Sequence, residues 1–591
     1  MWAAEFPEFK RIGFVRLRYS AWMMDWKPTS VIHHWFDPRF GASDRLIPRW
    51  IFLRALGLIY FSAFFSLLFQ IRGLIGPEGI LPASEFLRAV AKSAGTARFW
   101  YAPTVFWLST GPHMLMAVCW IGLAASILVT VNFWPRGGLF ICFLCFLSFV
   151  SAAGEFSGYQ SDGMLLEAGF IALFFAPFGL RPGLAAAHPP IRASIFLLQW
   201  EWFRIYFESG VAKLASGDPE WRHFTAMDEY YQNGPLPTWL GWYVQHFPHW
   251  FHAATAFGTL ALELALVWML FLPRRWRIIC FFIVTPWQIG IILTANYTFL
   301  NYLVLLLGFL LLDDRFLVRF VPAAWRGQLP NDPAANLLEE KRTAAFDSES
   351  ILTTAPGTSP LDAPDTPQTT GQTTNQATPP KSFRHHVASL QLALTVVMFA
   401  WLFYASTTLL LWMVWPGAPL PASPVAALEP FRIADRYGLF ATMTRGRYEI
   451  EFQGSQDGQT WATYPFRYKP QDPGKAPGIY APYQPRFDWN LWFASLGDWR
   501  SNPIVPRTEE RLLTGSPDVL ALFGTNPFPQ SLPRQVRAVI WQYWFSTPQE
   551  KRAQGVWWTR QLLGLYAPTL ERQSNGKITV AEWPSAMAPH E

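Results

Sequence analysis

Residues 50–69 read WIFLRALGLIYFSAFFSLLF, a run in which Arg54 is the one charged side chain. At about 1.5 Å of rise per residue, a helix of this length reaches about 30 Å, the thickness of a bilayer's hydrocarbon core. The stretch reads as a membrane span, and the pattern recurs along the chain. Apolar runs at 114–133, 139–151, 164–178, 191–214, 251–272, 278–293, 299–312 and 390–415 predict eight more. The third, fourth, seventh and eighth spans are short, and the fifth carries charges. The expected fold is an α-helical polytopic membrane bundle of about nine spans, followed by a small β-rich soluble C-terminal domain.

Composition agrees with this class. Hydrophobic residues are 51% of the 591, and charged residues are 15%, against about 25% in soluble globular chains. Aromatic residues reach 17%, with 50 Phe and 31 Trp, as expected where rings anchor spans at the headgroup level. The net charge of +6 is spread over several loops without a concentrated basic patch, so nucleic acid is not an expected partner. The lipid bilayer is. Cys119, Cys142, Cys145 and Cys280 all lie in apolar runs and the C-terminal half has none, which leaves no disulfide framework there. Cys142 and Cys145 form a C-x-x-C within Phe-rich sequence, and small buried apolar residues are the simpler reading.

Orientation follows the basic residues that flank the spans. Lys10, Arg11, Arg16, Arg18, Lys27, Arg39, Arg45 and Arg49 argue for a cytoplasmic segment at 1–49. Alternation then puts Arg136, Arg181, Arg192, Arg274, Arg275, Arg277, Arg315 and Arg319 on the same side. The opposite loops at 155–162 and 294–298 contain neither Lys nor Arg, while the loop after the first span, with Arg72, Arg88, Lys92 and Arg98, is the exception. No cleavable signal peptide is expected, because the first 45 residues lack an apolar core. An odd number of spans sends the C-terminal domain across the membrane.

The domain plan follows from shifts in composition. The bundle occupies 50–320 and the last transmembrane helix 390–415. Between them, 321–389 contains TSPLDAPDTPQTTGQTTNQATPP at 358–380, which has too little to bury to offset its ordering entropy and reads as a disordered linker. The β-rich domain spans 425–575. Within it YEIEFQGSQDGQTWATYPFRY, at 448–468, alternates around an Asp457–Gly458 turn, a hairpin signature. Residues 533–545 and 555–566 read as helices.

The fifth span, LLQWEWFRIYFESGVAKLASGDPEW at 197–221, holds Glu201, Arg204, Glu208 and Lys213. Charges in a bilayer face the bundle interior and pair, and the three-and-four spacing of the first three lets them neutralise one another on one helix face. A buried ion network is the simpler reading. A polar cavity with Lys213 at its mouth as a candidate base is the sharper one. Gln288, Asn296 and Asn301 add amides where the seventh span meets the eighth, beside Pro286, and Glu155, Asp162 and Glu167 add acids at the third and fourth. His246, His249 and His252 recur at steps of three with His223 upstream, but Pro248 interrupts their helix and no H-e-x-x-H accompanies them. No metal site is expected. Neither a phosphate-cradling loop nor a G-x-S-x-G elbow is present, so the chain is not itself a recognisable lipase, and no cofactor is expected.

Several stretches together resemble the lipase maturation factor family. They are WEWFRIYFESGVAKLASGDPEW at 200–221, YYQNGPLPTW at 230–239 and QIGIILTANYTFLNYL at 288–303 in the membrane part. In the soluble part they are RYGLFATMT at 436–444, DGQTWATYPFRYKPQDP at 457–473, PRFDWNLWFASL at 485–496, NPFP at 526–529 and WWTRQLLGLYAP at 557–568. The resemblance implies a multispanning protein that helps secreted lipases fold and assemble, with 436–568 as the client-facing module. Arg436, Tyr437, Trp461, Phe466, Arg486, Asp488, Trp489 and Trp492 are then its client-binding residues. It also implies an endoplasmic reticulum membrane with a lumenal C-terminal domain in a eukaryotic cell; a bacterial inner membrane with a periplasmic one is the expected setting here. The chain departs from the family pattern at TANYTFLN (294–301) and MDEYYQNGPLP (227–237), which weakens transfer of client identity. SGVAKL at 209–214 is also similar to the lysine-bearing segment of vitamin K-dependent γ-glutamyl carboxylases. That implies a rival reading, a membrane enzyme with a quinone-like or lipidic cofactor and Lys213 as base. Ala212 stands where those enzymes have a second lysine.

Overall fold

The computed structural model describes residues 28–321 and 383–585. Lys10, Arg11, Arg16, Arg18 and Lys27, and almost all of the expected linker, lie outside the described residues. Among the described residues five helices are long and apolar enough to cross a membrane: Leu46–Leu68, Pro112–Thr130, His249–Phe271, Arg274–Thr294 and Ser389–Val414.

In chain order the bundle consists of α1 (Leu46–Leu68), α2 (Pro112–Thr130), α3 (Pro135–Val150), α4 (Gln160–Phe175), α5 (Arg192–Ala215), α6 (His249–Leu264), α7 (Arg274–Thr294), α8 (Leu300–Phe309) and α9 (Phe383–Val414). Each of the nine expected spans thus has a helix, but not always a full-length one. α3 and α4 have 16 residues and α8 has 10, so α8 rises only about 15 Å, half a hydrocarbon core. α5 has the length, but Arg192, Glu201, Arg204, Glu208 and Lys213 lower its apolarity. Proline opens α2 and α3 at their first positions, where its missing N–H leaves no helical bond unmade. α1 packs along α2, and Gly57 permits the approach, since a Cβ there would collide with Thr130 and the Ser126 carbonyl.

Six antiparallel strands form one sheet in the C-terminal region: β1 (Arg447–Ser455), β2 (Ala462–Thr463), β3 (Gln535–Phe545), β4 (Trp558–Leu565), β5 (Thr569–Arg572) and β6 (Ile578–Glu582). Their order is β2-β1-β3-β5-β6, with β4 also on β3. The hairpin expected at Asp457–Gly458 joins β1 to a very short β2. Asp457 accepts the backbone N–H of Gln459 (2.8 Å) and of Thr460 (2.7 Å), and Gly458 takes φ +74°. Those N–H groups hold the Asp457 carboxyl well below the usual carboxylate range.

The two helices expected at 533–545 and 555–566 are strands β3 and β4. Val536, Ala538 and Ile540 alternate into the core opposite Gly454, Phe452 and Ile450 of β1. This two-residue period, enriched in β-branched and aromatic residues, decides the state once a partner strand is present. Helices α10 (Arg486–Ser495) and α11 (Ile504–Thr514) cover that face with Phe487, Leu491, Val505, Leu512 and Leu513.

The C-terminal region sits directly on the bundle. Ser516 and Arg511 donate to the carbonyls of Glu78 (2.8 Å) and Gly79 (2.9 Å). Arg447 at the start of β1 donates to the carbonyls of Gln232 (2.8 Å) and Pro235 (3.1 Å). β1 is buried on both faces: on its polar side Arg447 meets the bundle loop, while Glu449 pairs with Arg447 and Lys469 and Glu451 with Arg560.

Candidate functional site

The charges of α5 are neutralised across the bundle and by the C-terminal region rather than chiefly by one another. Arg204 pairs with Glu167 of α4 and donates to the carbonyl of Asp435 at 2.8 Å. Its distance to Glu208 is 3.9 Å. Glu208 accepts the backbone N–H of Tyr437 at 2.6 Å, and the Tyr437 hydroxyl donates to Glu167 at 2.7 Å. The segment at 433–440 thus enters the mouth of the bundle and supplies donors and acceptors that the helices lack. Glu201 departs from the expected mutual neutralisation, because both of its carboxylate oxygens are buried without a hydrogen-bond partner.

Lys213 lies one turn further along α5. Its Nζ donates to Glu263 of α6 at 2.9 Å and to the carbonyl of Leu439 at 2.8 Å, and stands 5.1 Å from the Trp221 ring centre. An ammonium held by a carboxylate and a carbonyl has the partners of a buried ion pair. Glu263 is the residue that sequence reasoning missed. The signal was available, since a lone carboxylate in the apolar run ALELAL at 261–266 demands a buried cation.

The amides divide between two places. Gln288 accepts from the Tyr206 hydroxyl at 3.0 Å. Asn296 clamps the loop at 478–481, donating to the Gly478 carbonyl (2.9 Å) and accepting the N–H of Tyr480 (2.7 Å) and Ala481 (3.0 Å). Asn301 lines a cavity with Lys213 and Gln288. Of the seven expected polar residues, Lys213, Gln288 and Asn301 thus share one cavity, Arg204 and Glu208 meet the segment at 433–440, Glu201 has no hydrogen-bond partner, and Asn296 sits in the loop between α7 and α8.

Of the eight residues assigned to client binding, Arg436 is exposed and Trp461 half-buried under Arg537, whose guanidinium lies 3.9 Å from its ring centre. Tyr437, Phe466, Arg486, Asp488, Trp489 and Trp492 are buried. Arg486 makes a two-pronged pair with Asp162 at 2.7 and 2.8 Å. Asp488 accepts the N–H of Tyr468 and of Lys469, both at 3.2 Å. Burial, partly opposed by those donors, raises its pKa from 3.8 to about 6. Trp492 donates to the Asn233 carbonyl at 3.1 Å, which joins α10 to the loop before α6.

His249 and His252 share Asp228 at 3.0 and 3.2 Å, and His246 contacts the Trp242 carbonyl at 2.7 Å. Among the described residues no three His, Cys, Asp or Glu side chains converge as a metal site. Cys142 and Cys145 are buried free thiols.

These features define an integral membrane protein whose β-rich C-terminal region is docked on its helical bundle. The lipase maturation factor transmembrane domain family matches residues 47–319, and the lipase maturation factor C-terminal domain family matches 433–568. Lipase maturation factor 2 of Gallus gallus is 32% identical, over 88% of this chain and 81% of its own. Lipase maturation factor 1 of Bos taurus is 30% identical, over 92% of this chain and 93% of its own. Lipase maturation factor 2 of Homo sapiens is 30% identical, over 90% and 83%. No solved structure matches the chain. The chain belongs to the lipase maturation factor family.

Proposed function

We propose that this protein assists the folding or assembly of secreted lipase-like clients, and that its C-terminal region holds them. The observation that carries the reading is similarity to proteins named for lipase maturation, present in both the bundle and the C-terminal region. A surface suited to the task supports it. Phe493, Leu496, Leu562, Leu563 and Trp583 of the C-terminal region are exposed, as is Arg436, and exposed apolar residues of this kind engage partly folded clients. In this reading Trp461 borders the client, while Tyr437, Phe466, Arg486, Asp488, Trp489 and Trp492 fix the surface in place from beneath.

The proposed topology has nine crossings, a cytoplasmic 1–49 segment, a bundle at 50–320, a linker at 321–389, a final crossing at 390–415 and a soluble domain at 425–575. Support comes from the loops that the C-terminal region touches: 78–79, 156–162, 232–235 and 295–296. The strictly alternating scheme puts those near 156–162 and 295–296 opposite the basic clusters. The proposed setting is a bacterial inner membrane with a periplasmic C-terminal region, or the endoplasmic reticulum membrane with a lumenal one in a eukaryotic cell.

Site-specific photocrosslinking tests the client surface. A photoreactive residue at Phe493 or Leu562 should capture a co-expressed secreted lipase, and one at Ile283 on the outer face of α7 should not. Capture at neither C-terminal position, or equally at all three, contradicts the reading.

A further inference from the structure

Helices α5, α6, α7 and α8 enclose a cavity of about 520 Å³, within the range that accommodates a small amphiphilic ligand. Its wall is mainly apolar, with Ile205, Leu262, Ile291 and Val304. Ile283, Pro286 and Gly290 of α7 both line it and are exposed on the helix's outer side, the side from which a membrane lipid would enter. Pro286 stands inside α7 and lacks the N–H that would continue the helical ladder at this wall.

Two wall atoms are buried without a hydrogen-bond partner: Nδ2 of Asn301, a donor, and Oε2 of Glu263, an acceptor. Unmade bonds of this kind are costly in a protein interior. The neighbouring cation does not need a ligand. Lys213 spends two of its N–H bonds on Glu263 Oε1 and the Leu439 carbonyl, and the Trp221 ring lies near its ammonium. The Lys213–Glu263 couple is neutral as a pair. The wall therefore holds one unpartnered buried donor and one unpartnered buried acceptor beside a neutral Lys213–Glu263 pair, in a mainly apolar cleft exposed along α7.

We propose that this cavity binds an uncharged lipid of the hydroxyl-ester class, a glycerol monoester, taken up from the membrane. A hydroxyl of the ligand donates to Glu263, its ester carbonyl accepts from Asn301, and its acyl chain fills the cleft beside α7. An anionic fatty acid fits less well, because its carboxylate would meet Glu263 with no donor to offer. A plain hydrocarbon would leave both polar atoms unsatisfied. The inference stands on the cavity alone and does not depend on the client reading.

The test is equilibrium binding of labelled monooleoylglycerol to the full-length protein in detergent, with oleate and octadecane as competitors. Wild type should bind close to one equivalent, displaced by unlabelled monoester and poorly by the other two. Asn301→Leu should weaken binding by roughly tenfold while leaving thermal unfolding no lower, since it removes an unpartnered donor. Gly290→Trp should abolish binding while the fold persists, because a side chain there meets open space. Binding that survives Gly290→Trp unchanged would place the lipid in the detergent belt and overturn the proposal. So would preference for oleate, or no binding by the wild type.

Discussion

Arg486 of α10 and Asp162 of α4, 324 residues apart, meet in a fully buried two-pronged ion pair at 2.7 and 2.8 Å. Arg486 also donates to the Phe156 carbonyl at 2.8 Å. The pair lies where the C-terminal region meets the bundle, so each part supplies the charge that makes the other's burial tolerable. Arg486→Met leaves Asp162 buried and unpaired, and is expected to destabilise by about 3–5 kcal/mol. Combining it with Asp162→Leu should recover much of that loss. Thermal unfolding of both purified variants checks this, and additive losses would deny the coupling.

Tyr437 binds the bundle twice, through its backbone N–H to Glu208 and its hydroxyl to Glu167. Tyr437→Phe keeps the first bond and deletes the second. The expected loss is about 1–3 kcal/mol, for a buried acceptor stripped of one donor. An unchanged unfolding temperature would mean that the hydroxyl contributes nothing.

Lys213→Met should destabilise by about 3–5 kcal/mol, because it strands the Glu263 carboxylate. The double variant Lys213→Met, Glu263→Leu removes both charges and should regain stability and the ability to mature a client. If the double variant is stable yet inactive, Lys213 or Glu263 has a role beyond pairing.

The pH dependence of stability carries the signature of Asp488, whose folded pKa is raised from 3.8 to about 6. A raised carboxyl binds its proton more tightly in the fold. The stability it contributes is fully present below pH 4 and is lost as pH rises through 6. Asp488→Asn keeps an acceptor for Tyr468 and Lys469 and should flatten the wild-type profile across that window, by on the order of 3 kcal/mol. Other buried acids, such as Glu451 and Glu509, are shifted the same way by burial. The difference between wild type and variant therefore isolates Asp488. A variant profile parallel to the wild type would contradict the assignment.

The membrane class was legible because apolar runs such as 50–69 follow from local composition alone. The hairpin at Asp457–Gly458 was legible because its turn chemistry is local. Strands β3 and β4 were not, since their alternation gains meaning only beside β1. Pairing of charges was foreseen, but not the partners. Glu167, Glu263, Asp435 and Tyr437 come to α5 from elements far away in sequence, and helix-face spacing sees only neighbours on one helix. The same limit hid the burial of Arg486, Trp489 and Trp492, expected as client-binding residues, where the C-terminal region meets the bundle.

Secreted lipase activity per unit of lipase protein, in the source cell, tests the central claim most directly. The strains are wild type, a deletion of this gene, the deletion restored with the full chain, and the deletion restored with a chain ending after Pro416. Specific activity should fall on deletion, return with the full chain and stay low with the truncated one when its membrane level is matched. Unchanged specific activity in the deletion strain would contradict the maturation role and leave the membrane fold without its proposed client.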